Sequence, residues 1–130
     1  MRIDRRYTKA GESPYQGIAF RTATSEIRNP DGSIVFRLEG IEVPEAWSQV
    51  AADILAQKYF RKAGVPARLK RVEENSVPSW LWRSAPDEKA LKELPEKERW
   101  VGETTSQQVF DRLAGTWTYW GWKGGYFDQE

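Results

Sequence analysis

The side chains of this sequence that could do chemistry are carboxylates, basic groups and aromatic rings, because it contains no cysteine and no histidine. The absence of Cys excludes thiolate nucleophiles, disulfides and Cys-ligated metals. The absence of His removes the commonest general base and every Ser-His-Asp or Cys-His triad. If the chain belongs to an enzyme, we therefore expect the chemistry to be done elsewhere.

Carboxylates are concentrated in the polar segment 66–100 and could in principle supply the paired acids of a glycosidase. They are Glu73, Glu74, Asp87, Glu88, Glu93, Glu96 and Glu98. Basic residues nearly cancel their charge, and nothing in such polar sequence would raise a carboxyl pKa. A solvated, charge-balanced surface is the simpler interpretation.

Two further motifs are weak candidates for binding. Lys123-Gly124-Gly125 offers a cation and free amides to a phosphate, but the GxxxxGK[ST] pattern of a P-loop is missing. The run KYFRK at 58–62 mixes basic and aromatic residues as nucleic-acid sites can, yet a helix end explains it equally well. The net charge of +1 gives no reason to expect attraction to nucleic acid or to an anionic membrane.

The most unusual segment is GTWTYWGWKGGYF at 115–127, which holds six aromatic residues and four glycines. Aromatic faces stack on bases and sugars, but Trp and Tyr are also typical of interface hot spots and of packed cores. We predict a packed core or an interface, and the candidate interface residues are Trp117, Trp120, Trp122, Tyr126, Phe127, Trp80 and Trp82. The alternative is a free-standing binding module that stacks nucleobases or sugars on exposed Trp residues.

The elements that position these residues indicate a single α+β module at 15–130, mostly helical, behind a flexible basic arm at 1–14. A β-hairpin is predicted within 15–40, because Asn29-Pro30-Asp31-Gly32 is a strong turn between alternating apolar and polar runs. The connection at 66–100 is expected to run over the surface, pinned by Trp80 and Trp82, with a short helix near 87–94.

Two main amphipathic helices are predicted, at 44–62 and at 104–120, the second leading into the aromatic, Gly-rich tail at 115–127. Pro44 suits the first position of the earlier helix, and Thr104 can cap the later one with Gln107 as reciprocal partner. The apolar stripe expected to pack on the core consists of Trp47, Val50, Ala51, Ile54, Leu55 and Tyr59. No apolar window is long enough to cross a membrane, and the first residues do not form a secretory signal, so we expect a cytoplasmic protein.

Four stretches carry a resemblance to a known family. They are TSEIRNPDGSIVF, EVPEAWSQVAADILAQKYFRKAGVPARLK, VPSWLWRS and QVFDRLAGTWTYWGWKGGYF. Together, from about Arg21 to Phe127, they resemble the N-terminal region of the long bacterial, adenosylcobalamin-dependent ribonucleotide reductases of class II. Those enzymes are far longer than 130 residues, and this chain stops before their catalytic barrel.

The resemblance implies a supporting role in the reduction of ribonucleotides to deoxyribonucleotides for DNA synthesis. In that family, adenosylcobalamin generates a thiyl radical on a cysteine of an α/β barrel, and further cysteines supply electrons. No catalytic, cofactor-binding or metal-binding position transfers to a chain without Cys, so we expect no cofactor on this part alone. The expected partner is the barrel, in cis or as a separate subunit. Self-association through the aromatic patch is a second expectation. Nucleotide sensing is a further possibility of the family, but the sequence offers no identifiable site for it.

Overall fold

The computed structural model describes residues 1–128 and confirms the α+β class. Helices account for 31% of the chain, so strands and connections take more of it than we expected. In chain order the elements are β1 (Phe20–Arg28), β2 (Ile34–Pro44), α1 (Gln49–Ile54), a π-helical turn (Leu55–Tyr59), β3 (Val65–Pro66), β4 (Leu69–Arg71), a 3₁₀ turn (Ser79–Leu81), β5 (Ser84–Pro86), α2 (Glu88–Lys92), a 3₁₀ turn (Glu96–Glu98), β6 (Trp100–Val101) and α3 (Ser106–Lys123). None of the helices within 1–128 combines the length and the apolar character needed to span a membrane.

β1 and β2 pair as the predicted antiparallel hairpin, closed by the predicted turn. Gly32 has a φ of +88°, which glycine adopts without strain, and its N–H donates to the Asn29 carbonyl at 2.9 Å. The hairpin extends further than expected, because Phe20 pairs with Pro44. Pro44 therefore ends a strand, and its placement at the start of a helix was wrong.

The core lies between the two main helices and the half of the hairpin that is farther from the turn at 29–32. Its buried members are Ala23, Ile41, Val43, Ala52, Leu55, Ala56, Phe60 and Val109. Leu38, Trp47 and Leu113 pack against it from the side. Because most of these side chains are small, the core covers only part of each element that contributes to it.

α1 is shorter than predicted and presents a different face to the core. Ser48 caps it by accepting the Ala51 N–H at 3.2 Å, and the π-helical turn ends where the Phe60 N–H donates to the Leu55 carbonyl at 3.1 Å. That wider turn carries Phe60 into the core. Of the stripe predicted to be core, Leu55 alone is buried, whereas Val50, Ile54 and Tyr59 are exposed.

The N-cap of α3, Thr105, lies one residue later than predicted, and the helix continues to Lys123. Its capping box uses Thr105 and Gln108 rather than Thr104 and Gln107. The Thr105 hydroxyl accepts the Gln108 N–H at 3.1 Å, and the Gln108 side chain accepts the Thr105 N–H at 3.0 Å. Val109, which follows this cap in α3, is 1% exposed and lies in the core.

The connection between the helices folds into two small ribbons, β3 with β6 and β4 with β5. Val65, Val77, Leu81 and Leu91 are buried within it. The Trp82 indole N–H donates to the Val77 carbonyl at 3.0 Å, which fixes the bend before β5. The connection is thus a folded segment and positions Trp80 and Trp82 on a defined frame.

Two glycines provide a matched test of this packing. A Cβ on Gly102 would lie 2.8 Å from the Lys62 carbonyl oxygen, whereas a Cβ on Gly115, inside α3, would meet nothing within 4 Å. We expect Gly102→Ala to lower the free energy of unfolding by about 1–3 kcal/mol because backbone must move. Gly115→Ala should raise it by about 0.5–1 kcal/mol through helix propensity. Urea denaturation followed by Trp fluorescence measures both, and equal effects of the two variants would contradict the close approach at Gly102.

Candidate functional site

The apolar stripe of α3 continues beyond the core that covers its first half. Val109 is buried and Leu113 packs on the core. Trp117 and Trp120 follow at spacings of four and seven residues from Leu113, so they lie on the same face. They are 63% and 64% exposed. The face of α3 that packs on the core in the first half of the helix is therefore exposed in the second half.

The glycines after these tryptophans let the chain fold back on the helix. A Cβ on Gly121 would lie 2.6 Å from the Phe127 ring, and one on Gly124 would lie 2.7 Å from the Tyr126 ring. Trp122 is half-buried, and its indole N–H donates to the Ser76 carbonyl at 2.7 Å. At both positions the absence of a Cβ leaves room for an aromatic side chain.

The structure brings some of the predicted interface residues together. Trp80, Trp122 and Phe127 line one cavity of about 260 Å³, along with Thr118 and residues 1–3. Trp80 is 59% exposed and Tyr126 is 66% exposed. Trp82 does not line this cavity, because its ring is held against the bend at Val77.

The first residues of the arm also reach this end of α3, which the sequence did not indicate. The amino group of Met1 lies 2.5 Å from the Asp128 carboxylate, and the Asp128 N–H donates to the Met1 carbonyl at 3.1 Å. Nearer the hairpin, the Tyr15 hydroxyl donates to the Asp111 carboxylate at 2.5 Å, which holds the pKa of Tyr15 above its ordinary range through burial and this bond. These contacts are long-range pairings of polar residues, for which periodicity gives no signal.

Glu74 ties the connection to the last turns of α3. Its carboxylate accepts hydrogen bonds from the Lys123 ammonium and the Tyr119 hydroxyl, both at 2.6 Å. These bonds lower the pKa of Glu74 and raise that of Lys123. Glu74 is therefore kept ionised, the opposite of what a glycosidase acid needs. Lys123, the cation of the candidate phosphate loop, is occupied by an internal partner.

Glu103 is the most deeply buried ionisable residue of the described chain, and sequence reasoning missed it. Its side chain is 1% exposed. It accepts the Arg61 backbone N–H at 2.8 Å and two N–H groups of the Arg112 guanidinium at 3.1 and 3.0 Å. Burial raises the pKa of Glu103, but the bonds from Arg112 and Arg61 outweigh it, so the pKa lies below 4.5. A lone Glu before a helix cap carries no sequence signal of burial.

The basic run at 58–62 is likewise engaged inside the molecule. Arg61 pairs with Glu103, and the Lys62 ammonium lies 4.8 Å from the centre of the Phe36 ring. Among residues 1–128 there is no group of three or more metal-ligating side chains placed to hold an ion. Adenosylcobalamin chemistry needs a thiol for the radical, and the 130 residues contain neither Cys nor His. This chain therefore supplies no thiol for that radical.

The fold and the site together define an α+β module whose aromatic face is incompletely covered by the described residues. Residues 21–130 match the family described as class II vitamin B12-dependent ribonucleotide reductase. The chain belongs to this family, as the N-terminal part of such a reductase.

Three relatives, each named as a vitamin B12-dependent ribonucleotide reductase, show how far the similarity extends. The protein from Bradyrhizobium diazoefficiens is 72% identical over all 130 residues, and that from Agrobacterium fabrum is 71% identical over the same length. The protein from Streptomyces coelicolor is 40% identical over 70 residues, which is 52% of this chain and 7% of that relative. The chain spans about a tenth of the length of the first two relatives.

Proposed function

We propose that this chain is the non-catalytic N-terminal part of a vitamin B12-dependent ribonucleotide reductase. In that enzyme it would support the larger part, which reduces ribonucleotides to deoxyribonucleotides for DNA synthesis in the cytoplasm. The observation that carries the proposal is the similarity of the whole chain, at 72% identity, to one tenth of a reductase of that name. Because this region makes up one tenth of a longer chain in the relatives, a catalytic part in the same polypeptide is favoured over a separate subunit.

The division of labour follows from the side chains. Radical reduction of a ribonucleotide needs thiols, and this part of the enzyme has none. Adenosylcobalamin therefore belongs to the larger part. Residues 1–128 instead form a folded module, and the apolar stripe of its helix α3 ends in Trp117 and Trp120. Exposed aromatic side chains of this kind are typical of interface hot spots, and we propose that they pack on the catalytic part.

Deletion of residues 1–130 from a full-length reductase tests this function. We expect turnover to fall at least about tenfold, as loss of one hot-spot contact or more would cause. Adenosylcobalamin binding, followed by its visible spectrum, should persist in the truncated enzyme. Full turnover and unchanged thermal stability after the deletion would contradict a supporting role.

The stacking alternative is separated by a titration. Trp fluorescence of the 130-residue chain is recorded while nucleotides, single-stranded DNA or oligosaccharides are added. We expect no saturable quenching, because Trp122 and Trp82 already donate to backbone carbonyls and Trp117 and Trp120 belong to an apolar helix stripe. Saturable quenching by one of these ligands would favour the stacking module instead.

A further inference from the structure

α1 carries apolar side chains on both of its long sides. The inner side, with Ala52, Leu55 and Ala56, is buried in the core. On the outer side, Val50 is 67% exposed and Ile54 is 53% exposed. Large apolar side chains exposed side by side in this way are typical of a surface that another element covers. The outer side of α1 therefore lacks a cover in the described residues.

This outer side forms a shallow, open groove. The groove has a volume of about 240 Å³ and is lined by Trp47, Ala51, Ile54, Leu55 and Tyr59. Ala51 is the smallest of these side chains, so the backbone of a neighbouring element can approach closely there. A pocket of this size and apolar character accepts one or two large aliphatic or aromatic side chains.

The groove is preformed, because its walls are held by contacts with the rest of the module. The Trp47 ring packs edge-on against Phe110, with ring centroids 5.8 Å apart and planes at 69°. At the other end, the Tyr59 carbonyl accepts a hydrogen bond from Arg112 at 2.9 Å. Both anchoring residues lie on α3, so the groove keeps its shape without an occupant.

The groove is also connected with the exposed stripe of α3 through that helix. Phe110, which supports Trp47, lies seven residues before Trp117, and this spacing places both on one face of the helix. A partner that covers Trp117 and Trp120 is thus directed along the helix toward Trp47. This connection favours the same partner for both surfaces.

We propose that the groove on α1 binds an apolar helix face from the larger part of the same reductase chain. This proposal rests on the proposed function, because it takes its occupant from the nine-tenths of the relatives' length that lies outside this chain. Helix pairs approach to about 8–10 Å when small residues line the contact, as Ala51 does here. A second copy of the module is the competing occupant, and the experiment separates the two.

The test measures the accessibility of a thiol placed in the groove of the full-length enzyme. Ile54→Cys introduces the thiol, and Glu93→Cys, on the exposed side of α2, is the matched control. Alkylation rates at the two peptides are followed by mass spectrometry, so thiols elsewhere in the enzyme do not interfere. We expect alkylation at position 54 to be at least about tenfold slower than at position 93, and equally fast in urea.

A second variant shows what the protection depends on. Ala51→Glu, added to Ile54→Cys, places a charge in the groove and should bring alkylation at position 54 up to the rate at position 93. Equal rates at 54 and 93 without this charge would overturn the proposal. Protection that disappears when the enzyme is diluted would also overturn it, because it would assign the groove to a second copy.

The outcome is distinguishable from the deletion test of the proposed function. If deletion leaves turnover unchanged while position 54 stays protected at every dilution, the groove is covered as proposed and the supporting role is wrong. If deletion abolishes turnover while position 54 reacts freely, the supporting role stands and the assignment of the groove fails.

Discussion

Replacing Glu103 with alanine is expected to lower the free energy of unfolding by about 3–5 kcal/mol, the typical cost of removing one partner of a buried ion pair. The carboxylate is 1% exposed, and it accepts both the Arg61 backbone N–H and the Arg112 guanidinium. Alanine would leave these donors without their acceptor, and water reaches them only from the side of the partly exposed arginine side chains. Urea denaturation of the 130-residue chain, followed by Trp fluorescence, measures the loss.

Glu39 supplies the control, because it also pairs with an arginine but its side chain is 63% exposed. Glu39→Ala is expected to change the free energy of unfolding by less than about 1 kcal/mol. Glu103→Gln keeps the shape of the side chain and can still accept hydrogen bonds, so its cost should fall between those of the two alanine variants. A loss below about 1 kcal/mol for Glu103→Ala would show that the buried cluster does not hold the helices together.

The contribution of Glu103 should disappear in acid. Its pKa in the folded chain lies below the ordinary value of 4.5, so its stabilising effect is complete above pH 4.5 and is lost as the pH falls through the folded value. In that window the unfolded chain binds more protons than the folded chain, so the free energy of unfolding decreases as the pH is lowered. The difference between the wild-type chain and Glu103→Gln should accordingly shrink below pH 4.5, and a constant difference would contradict the cause given for the shift.

Replacing Trp117 and Trp120 together with serine is expected to reduce the turnover of a full-length reductase at least about thirtyfold. Truncation of a hot-spot aromatic costs about 2 kcal/mol or more, and two such losses exceed a factor of thirty. In the 130-residue chain the same pair is 63% and 64% exposed, so the free energy of unfolding should change by no more than about 0.5 kcal/mol for each. The large effect is therefore specific to the complete enzyme.

Tyr7→Ser is the control for this prediction, because Tyr7 is 89% exposed and lies in the arm, away from the α3 stripe. Turnover should be unchanged in that variant. Turnover that survives the double substitution would exclude the α3 stripe as a contact with the catalytic part. A parallel loss of stability in the isolated 130-residue chain would instead show that these rings are part of its own fold.

Features that depend on local chemistry were predictable from the sequence. The turn at 29–32 follows from Pro and Gly at fixed positions, and the hairpin around it is present. The long aromatic helix was also predictable, because Val109, Leu113 and Trp117 recur at helical spacing. Exposure of Trp117 and Trp120 agrees with the expectation of a bare apolar surface, although no observation of a partner tests the interface itself.

Features that depend on tertiary contacts were not predictable. Pro44 is compatible with a first helical position, yet its pairing with Phe20 makes it the end of a strand. The two apolar sides of α1 have the same periodicity, so the sequence could not decide that Ala52 and Phe60 face the core while Ile54 faces outward. Glu103 gives no signal because the donors to its carboxylate come from residues 42 and 9 positions away.

The hydrogen bond between the Asp128 N–H and the Met1 carbonyl places the two ends of the described chain side by side. A polypeptide that enters and leaves a folded unit at one point can be spliced into a loop of a host protein, or circularly permuted, without stretching the scaffold. An affinity tag fused ahead of residue 1 would sit beside the exit of the chain.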